Sequence, residues 1–278
     1  MPAERKTLVD YAANIHEVSI NRACKLLKVS RSVYSYVPNL ALSDREIKRV
    51  LTALAEKHCR YGFKKMFQKT RQLGFQWNHK RVYRVYCELK LNLRKKPKKR
   101  LPSRIKVKLV QPDKPNTSWS LDFMSDALIN GRKFRTVNIL DDWNREAMGI
   151  KASHTLPAER VTDYLDWLAM QRGYPKQLRV DNGPENISER MRVWAHGHGV
   201  RIQYIQPGKP AQNGYIERFN RTYRDEILDM YVFKNIAEVQ SYTDKWLLEY
   251  NGERPHESLG NLTPWAFAKR LVSTDALY

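Results

Sequence analysis

Cysteine is scarce in this chain, and the three present, Cys24, Cys59 and Cys87, form no CxxC pair, so neither a disulfide framework nor a zinc finger is supported. His58 beside Cys59, and His196 with His198, lack a second ligand pair at finger-like spacing and read as ordinary helix or surface residues. No run approaches the ~18 apolar residues of a membrane span, and the start, MPAERKTLVD, lacks the apolar core of a signal peptide. These absences point to the cytoplasm and away from a membrane. Acids are missing from one region in particular. Residues 1–118 hold 29 Lys plus Arg against 8 Asp plus Glu, whereas residues 119–278 hold 21 against 21, so the whole net charge of +21 belongs to the first part.

A surface merely solvated by Lys and Arg would intersperse acids, as the second part does. A basic block joined to a neutral one instead reads as a polyanion-holding region followed by a region that acts on the polyanion, with nucleic acid as the natural partner and double-stranded DNA the one a helix-turn-helix would engage. Within residues 1–92, SINRACKLLKVSRSVYSY predicts two short helices around a tight turn, with Ser19 and Ser30 as caps and Ala23, Leu26 and Leu27 facing inward. That is a helix-turn-helix outline with Arg31 at the groove-facing end, although any small helical pair looks similar. Three more helices follow over 44–58, 62–73 and 78–91, each with an apolar stripe at helical spacing. The last carries Lys80, Arg81 and Arg84 near its start, which fits a second DNA-reading helix and a solvated face equally well. Residues 93–117 form a basic linker in which Arg94, Lys95, Lys96, Lys98, Lys99 and Arg100 precede Arg104, Lys106 and Lys108 among prolines. If six of these cations each displace a counterion, log K should fall with log salt at a slope of about −5.

From Trp119 the pattern becomes mixed. WSLDFM alternates, with Trp119, Leu121 and Phe123 on one face and Asp122 on the other; KFRTVNIL and REAMGIKAS continue as strands. A helix opened by Thr155 and Pro157, the strand QLRV, a helix over 188–196, the strand RIQYIQ and a helix bearing Glu217 complete an α/β core over 118–232: a mixed sheet covered by helices. A helical extension occupies 233–278. Asp122 then lies mid-strand, Asp181 at a strand's carboxyl end and Glu217 on a helix that can pack beside both. Three such carboxylates suit a pair of Mg²⁺ ions, with Mn²⁺ able to substitute, and two-metal sites perform phosphodiester chemistry. An acid at the centre of an apolar strand is costly without a partner or a cation, which singles out Asp122. Asp141 and Asp142 rival it as ligands, but a turn accounts for both. Lys209 is placed to touch phosphate and Arg221 lies one helical turn beyond Glu217; His256, in RPHESL, reads as an exposed loop histidine.

WSLDFM, DNGPE, GKPAQNGYIERFNRTYRDEIL, YNGERPHESL and TPWAF together resemble the DDE transposases of bacterial insertion sequences that share the retroviral-integrase catalytic core, particularly those whose catalytic subunit is the second reading frame, OrfB. KVSRSVYSY, YGFKKMF and NHKRVYRVYCELKLN extend the resemblance across nearly the whole chain. It implies a ribonuclease H-like fold and an N-terminal DNA-binding region. By resemblance Asp122, Asp181 and Glu217 are the catalytic, metal-holding acids, and the activity is metal-dependent nicking at element ends followed by attack of the freed 3′ hydroxyl on another strand. It further implies a homo-oligomer on DNA that engages element ends and target, and an upstream reading frame as a possible fusion partner. The zinc-binding pairs at the start of retroviral integrases are absent. Two other readings compete: a helix-turn-helix regulator without catalysis, and a ribonuclease H-type nuclease that only hydrolyses.

Overall fold

The computed structural model describes residues 2–36, 44–93, 109–206 and 210–275. The chain divides into two compact units, residues 1–93 and 94–278.

The first unit is helical. Helices α1 (Pro2–Ile15), α2 (Ile20–Leu26) and α3 (Arg31–Ser35) close on a small core of Val9, Ala23, Cys24 and Val29. Ser30 caps α3 as expected, its Oγ accepting the Val33 N–H at 3.2 Å, whereas Ser19 precedes α2 without a side-chain cap bond. Tyr34 donates its hydroxyl proton to Asp10 at 2.7 Å and ties α3 to α1, which lies outside the helices predicted above. Helices α4 (Arg45–Lys57), α5 (Phe63–Gln72) and α6 (His79–Glu88) bury Ile47, Leu51, Leu54, Met66, Val82, Val85 and Tyr86, most of the stripes the sequence displays. Asn78 caps α6 through the Lys80 N–H. That helix stops short of Leu91 because Lys90 turns to φ 54° and the Leu91 carbonyl receives the Tyr86 hydroxyl at 2.6 Å.

In the second unit, β1 (Ser118–Ala127), β2 (Lys133–Asp141) and β3 (Ala147–Ser153) form an antiparallel meander. Helix α7 (Ala158–Arg172) crosses to β4 (Gln177–Val180), parallel to β1, and α8 (Pro184–Ile187) with α9 (Glu189–Gly197) leads to β5 (Arg201–Tyr204), parallel to β4. The sheet order is β3-β2-β1-β4-β5. This mixed sheet with helices on both faces is ribonuclease H-like, as the sequence led one to expect. The period-2 alternation of the strands separates two cores. On one face Trp119, Leu121, Val137, Ile139, Leu178 and Val180 meet Val161 and Leu165 of α7 and Met191 of α9. On the other, Phe134, Leu140 and Ile150 meet Ile216, Phe219 and Tyr223 of α10 (Gly214–Tyr223) and Val239, Trp246 and Tyr250 of α11 (Ile236–Gly252). Asp122 points to this second face.

Beyond α10 the backbone widens into a π-helical turn over Arg224–Leu228. Its Glu226 accepts the Trp246 indole N–H at 3.0 Å and pairs with the buried Arg254. Asn251 brackets the Ala147 backbone, accepting its N–H at 2.9 Å and donating to its carbonyl at 3.0 Å, so α11 is stitched to the edge strand. Much of YNGERPHESL is thus structural. A final helix, α12 (Pro264–Asp275), places the Trp265 indole against Glu146. No helix among the described residues is long and apolar enough to cross a membrane.

Candidate active site

Asp122 sits in the middle of β1, opposite Asn138 of β2, where the strand's alternation turns it out of the Trp119–Leu121 core and under α10. Its Oδ1 accepts the Phe123 N–H at 2.9 Å and its Oδ2 accepts the Asn220 amide at 2.8 Å. Asp181 is the first residue after β4. Its Oδ1 accepts the Gly183 N–H at 3.0 Å and the Asn186 amide at 2.7 Å, a local turn that fixes the carboxylate at the strand's end. Glu217 stands exposed in the first turn of α10.

These three acids share one electrostatic field. Burial is the main reason the Asp122 carboxyl is pushed up to about 6; the charges of Asp181 and Glu217 add to it, and the Phe123 N–H and Asn220 amide oppose it. Oxygen-only donors carrying like charge are what a hard divalent cation requires, so the donor set fits Mg²⁺ in its chemistry. The set is not closed: among the described residues no three His, Cys, Asp or Glu side chains gather tightly enough to hold one ion. Three carboxylates without a counter-charge repel one another, and the exposed Glu217 is the one with freedom to stand apart.

The neighbouring acids are committed elsewhere. Glu185, beside Asp181 in sequence, forms an ion pair with Arg135, whose guanidinium also lies 4.7 Å over the Phe123 ring. Burial raises the Glu185 carboxyl, but Arg135 outweighs it and the group ends below the usual carboxylate range. Asp141 is buried, accepting the Trp143 N–H at 2.8 Å in the expected turn and the Asn116 N–H at 2.9 Å. Asp142 is more than a turn residue. Its two oxygens accept the Ser120 hydroxyl at 2.6 Å, the Ser118 hydroxyl at 2.9 Å and the Arg179 guanidinium at 2.6 Å.

The basic residues named from sequence divide into three groups. Arg94, Lys95, Lys96, Lys98, Lys99, Arg100 and Lys209 lie outside the described residues. Lys80 and Arg221 are exposed, and Arg31 is exposed with its guanidinium 3.4 Å from the Asn21 amide oxygen. Arg81 and Arg84, in contrast, both bind the buried Asp44 carboxylate, at 2.7 and 2.5 Å, so they have a structural task within the helical unit. His256 is half-buried with its ring edge-on to Tyr250 at 4.8 Å, not an exposed loop side chain. Asn138, Asn186 and Asn220 escaped the sequence reading; only Asn220, one turn from Glu217, had a spacing that could have revealed it.

A cation-rich helical unit followed by a ribonuclease H-like mixed sheet is the architecture of an integrase core with a helical region before it. Family models agree: an HTH-like domain matches residues 41–100, and integrase core domains match 112–210 and 198–264. The HTH-like match falls on α4–α6, not on the 19–36 outline picked out in the sequence. The chain is 38% identical over 260 residues to the insertion element IS407 uncharacterized 31.7 kDa protein of Burkholderia multivorans, covering 93% of this chain and 94% of that one. It is 26% identical to the putative transposase InsK for insertion sequence element IS150 of Escherichia coli, over 88% of this chain and 92% of that one. A solved HTLV-2 integrase catalytic core domain in complex with magnesium aligns at 16% identity and a TM-score of 0.44, covering 55% of this chain and 96% of that chain. The chain belongs to the insertion-element transposase-like family, with an HTH-like domain and an integrase core.

Proposed function

We propose that the protein cleaves DNA at the ends of an insertion element and joins the freed 3′ hydroxyl to another strand, with Asp122, Asp181 and Glu217 as the catalytic acids. The observation that carries this reading is the position of Asp122, a half-buried carboxylate in mid-strand, bonded to Asn220 on the helix that bears Glu217 and pushed up mainly by burial and further by the charges of Asp181 and Glu217. Such an arrangement works against the fold's own stability unless a cation joins it. Asp122, Asp181 and Glu217 would hold Mg²⁺, or Mn²⁺ in its place, which supplies Lewis-acid activation of the attacking oxygen and charge relief at the leaving one. Asp122 on β1 and Asp181 just after β4 are held by their hydrogen bonds, which supports reading them as the fixed ligands of the set. Glu217, on the helix packed over the face to which Asp122 points, would join them when a cation binds. The basic helical unit would hold the element ends as duplex DNA, and because two ends must be paired, the working form is an oligomer on DNA.

The test is incubation of the purified protein with Mn²⁺ and labelled ends of the element's terminal repeats, followed by sizing of the products. Nicked and joined species are expected. Hydrolysed products alone would favour a nuclease, and DNA binding with no product at all a regulator. Asp122→Ala and Glu217→Ala should abolish joining while leaving DNA binding intact; joining at the wild-type rate would remove that residue from the site.

A further inference from the structure

Asn138 of β2 is fully buried, and its Nδ2 donates to the Asn220 Oδ1 at 2.7 Å. Asn220 in turn donates its Nδ2 to the Asp122 Oδ2 at 2.8 Å. An asparagine amide can present either its oxygen or its NH₂ to a neighbour. With the Asn220 oxygen already occupied by the Asn138 donor, only the NH₂ end is left for Asp122. We propose that Asn138, acting through Asn220, is a positioning residue for the acid site, holding the Asn220 amide so that an N–H, and not a carbonyl, meets the Asp122 carboxylate.

Two features separate this from ordinary packing. The Asn138 Oδ1 is buried without a hydrogen-bond partner. An unpaired buried acceptor is costly to keep, and the one polar contact this amide does make is the N–H it gives to Asn220. In addition, Asn220 lies one turn after Glu217, so the same pair of amides fastens the helix bearing Glu217 to the strand facing Asp122. The chain Asn138–Asn220–Asp122 therefore relates two of the three acids to each other.

This inference rests on the reading of Asp122 as a metal-holding acid, and the experiment separates the two. Mn²⁺ binding to the full-length, DNA-free protein is followed by electron paramagnetic resonance for Asp122→Asn, Asn138→Leu, Asn220→Leu and the double asparagine variant, with melting temperatures measured alongside. Residues that orient metal ligands typically contribute 10–100-fold in affinity, and a loss in the lower part of that range is expected for each single asparagine variant. The double variant should be no worse than Asn220→Leu, because both act through one chain; Asn138→Leu leaves the buried Asn220 oxygen without its donor and should melt below wild type, so affinities are compared well below every variant's melting temperature. If Asn138→Leu does not fold, Asn138→Ala carries the same comparison. Wild-type Mn²⁺ affinity in the Asn138 variant, or a loss that merely follows a falling melting temperature, would overturn the proposal. Should Asp122→Asn itself bind Mn²⁺ like the wild type, the metal reading fails and takes this one with it.

Discussion

A Cβ on Gly183 would stand 2.9 Å from the Asp181 Oδ1, closer than real side chains approach. The Gly183 backbone, at φ −65° and ψ 151°, is open to any residue, so a side chain here would disturb the Asp181 carboxylate and not the backbone. In Gly183→Ala the carboxylate must turn away, losing its bond from Asn186. Melting should stay close to wild type, while strand transfer falls by roughly 10–100-fold, the size of effect a misplaced ligand produces. Product sizing beside a melting curve checks both parts; transfer at the wild-type level would mean that the position of Asp181 is not limiting.

The placement of that carboxylate was legible in the sequence, whereas its support was not. DNGP after an apolar QLRV announces a strand end, and the alternation in WSLDFM turns Asp122 away from Trp119 and Leu121, because both signals are local. Helix α1 carries Leu8, Tyr11 and Ile15 at helical spacing, but these side chains are exposed and only Val9 is fully buried, so the spacing does not mark a core-facing stripe. The π turn at 224–228 has no sequence mark, as Ile227 and Leu228 continue the apolar spacing of α10. Asp142 looked like a turn residue because its partners, Ser118, Ser120 and Arg179, come from two other strands and only the β1–β4 pairing brings them together.

Neutralising Asp122 should stabilise the protein when no divalent cation is present. Burial pushes both Asp122 and Asp141 up to about 6, so between the unfolded value near 3.8 and about 6 the folded state holds more protons than the unfolded one. Stability from these groups is therefore full below pH ~4 and lost as pH rises through about 6. For Asp122 the ceiling is roughly 3 kcal/mol. Asp122→Asn should gain about 1–3 kcal/mol at pH 8 in chelator and almost nothing at pH 4. Urea unfolding at the two pH values checks it, and an equal change at both would show that the carboxyl is not strained by ionisation.

The Asp142–Arg179 pair should behave in the opposite sense when one partner is removed. Asp142 is fully buried and Arg179 nearly so. Arg179→Met leaves the carboxylate with its two serine hydroxyls and the charge of Arg145, and breaking a buried pair in this way typically costs 3–5 kcal/mol. The loss should appear in urea unfolding and should shrink at low pH, where Asp142 can take up a proton. A loss below about 1 kcal/mol would mean that water reaches the site.

Lys80 and Arg81 are neighbours on α6 with separable tasks. Lys80 is exposed at the start of the helix, while Arg81 is bound to Asp44, which is only 2% exposed. If Lys80 contacts phosphate, Lys80→Ala should weaken DNA binding to any sequence and lower the magnitude of the salt slope by about 1, with no change in melting. Arg81→Ala removes one of the two guanidiniums on Asp44, and because Arg84 remains, the expected loss is on the order of 1–3 kcal/mol. Any weakening of DNA binding by Arg81→Ala should then follow from unfolding and disappear when the assay is cooled well below its melting point. Fluorescence anisotropy across a salt series, paired with thermal melts, distinguishes the two. A salt slope lowered by Arg81→Ala in fully folded protein would place its guanidinium on the phosphate backbone instead of on Asp44.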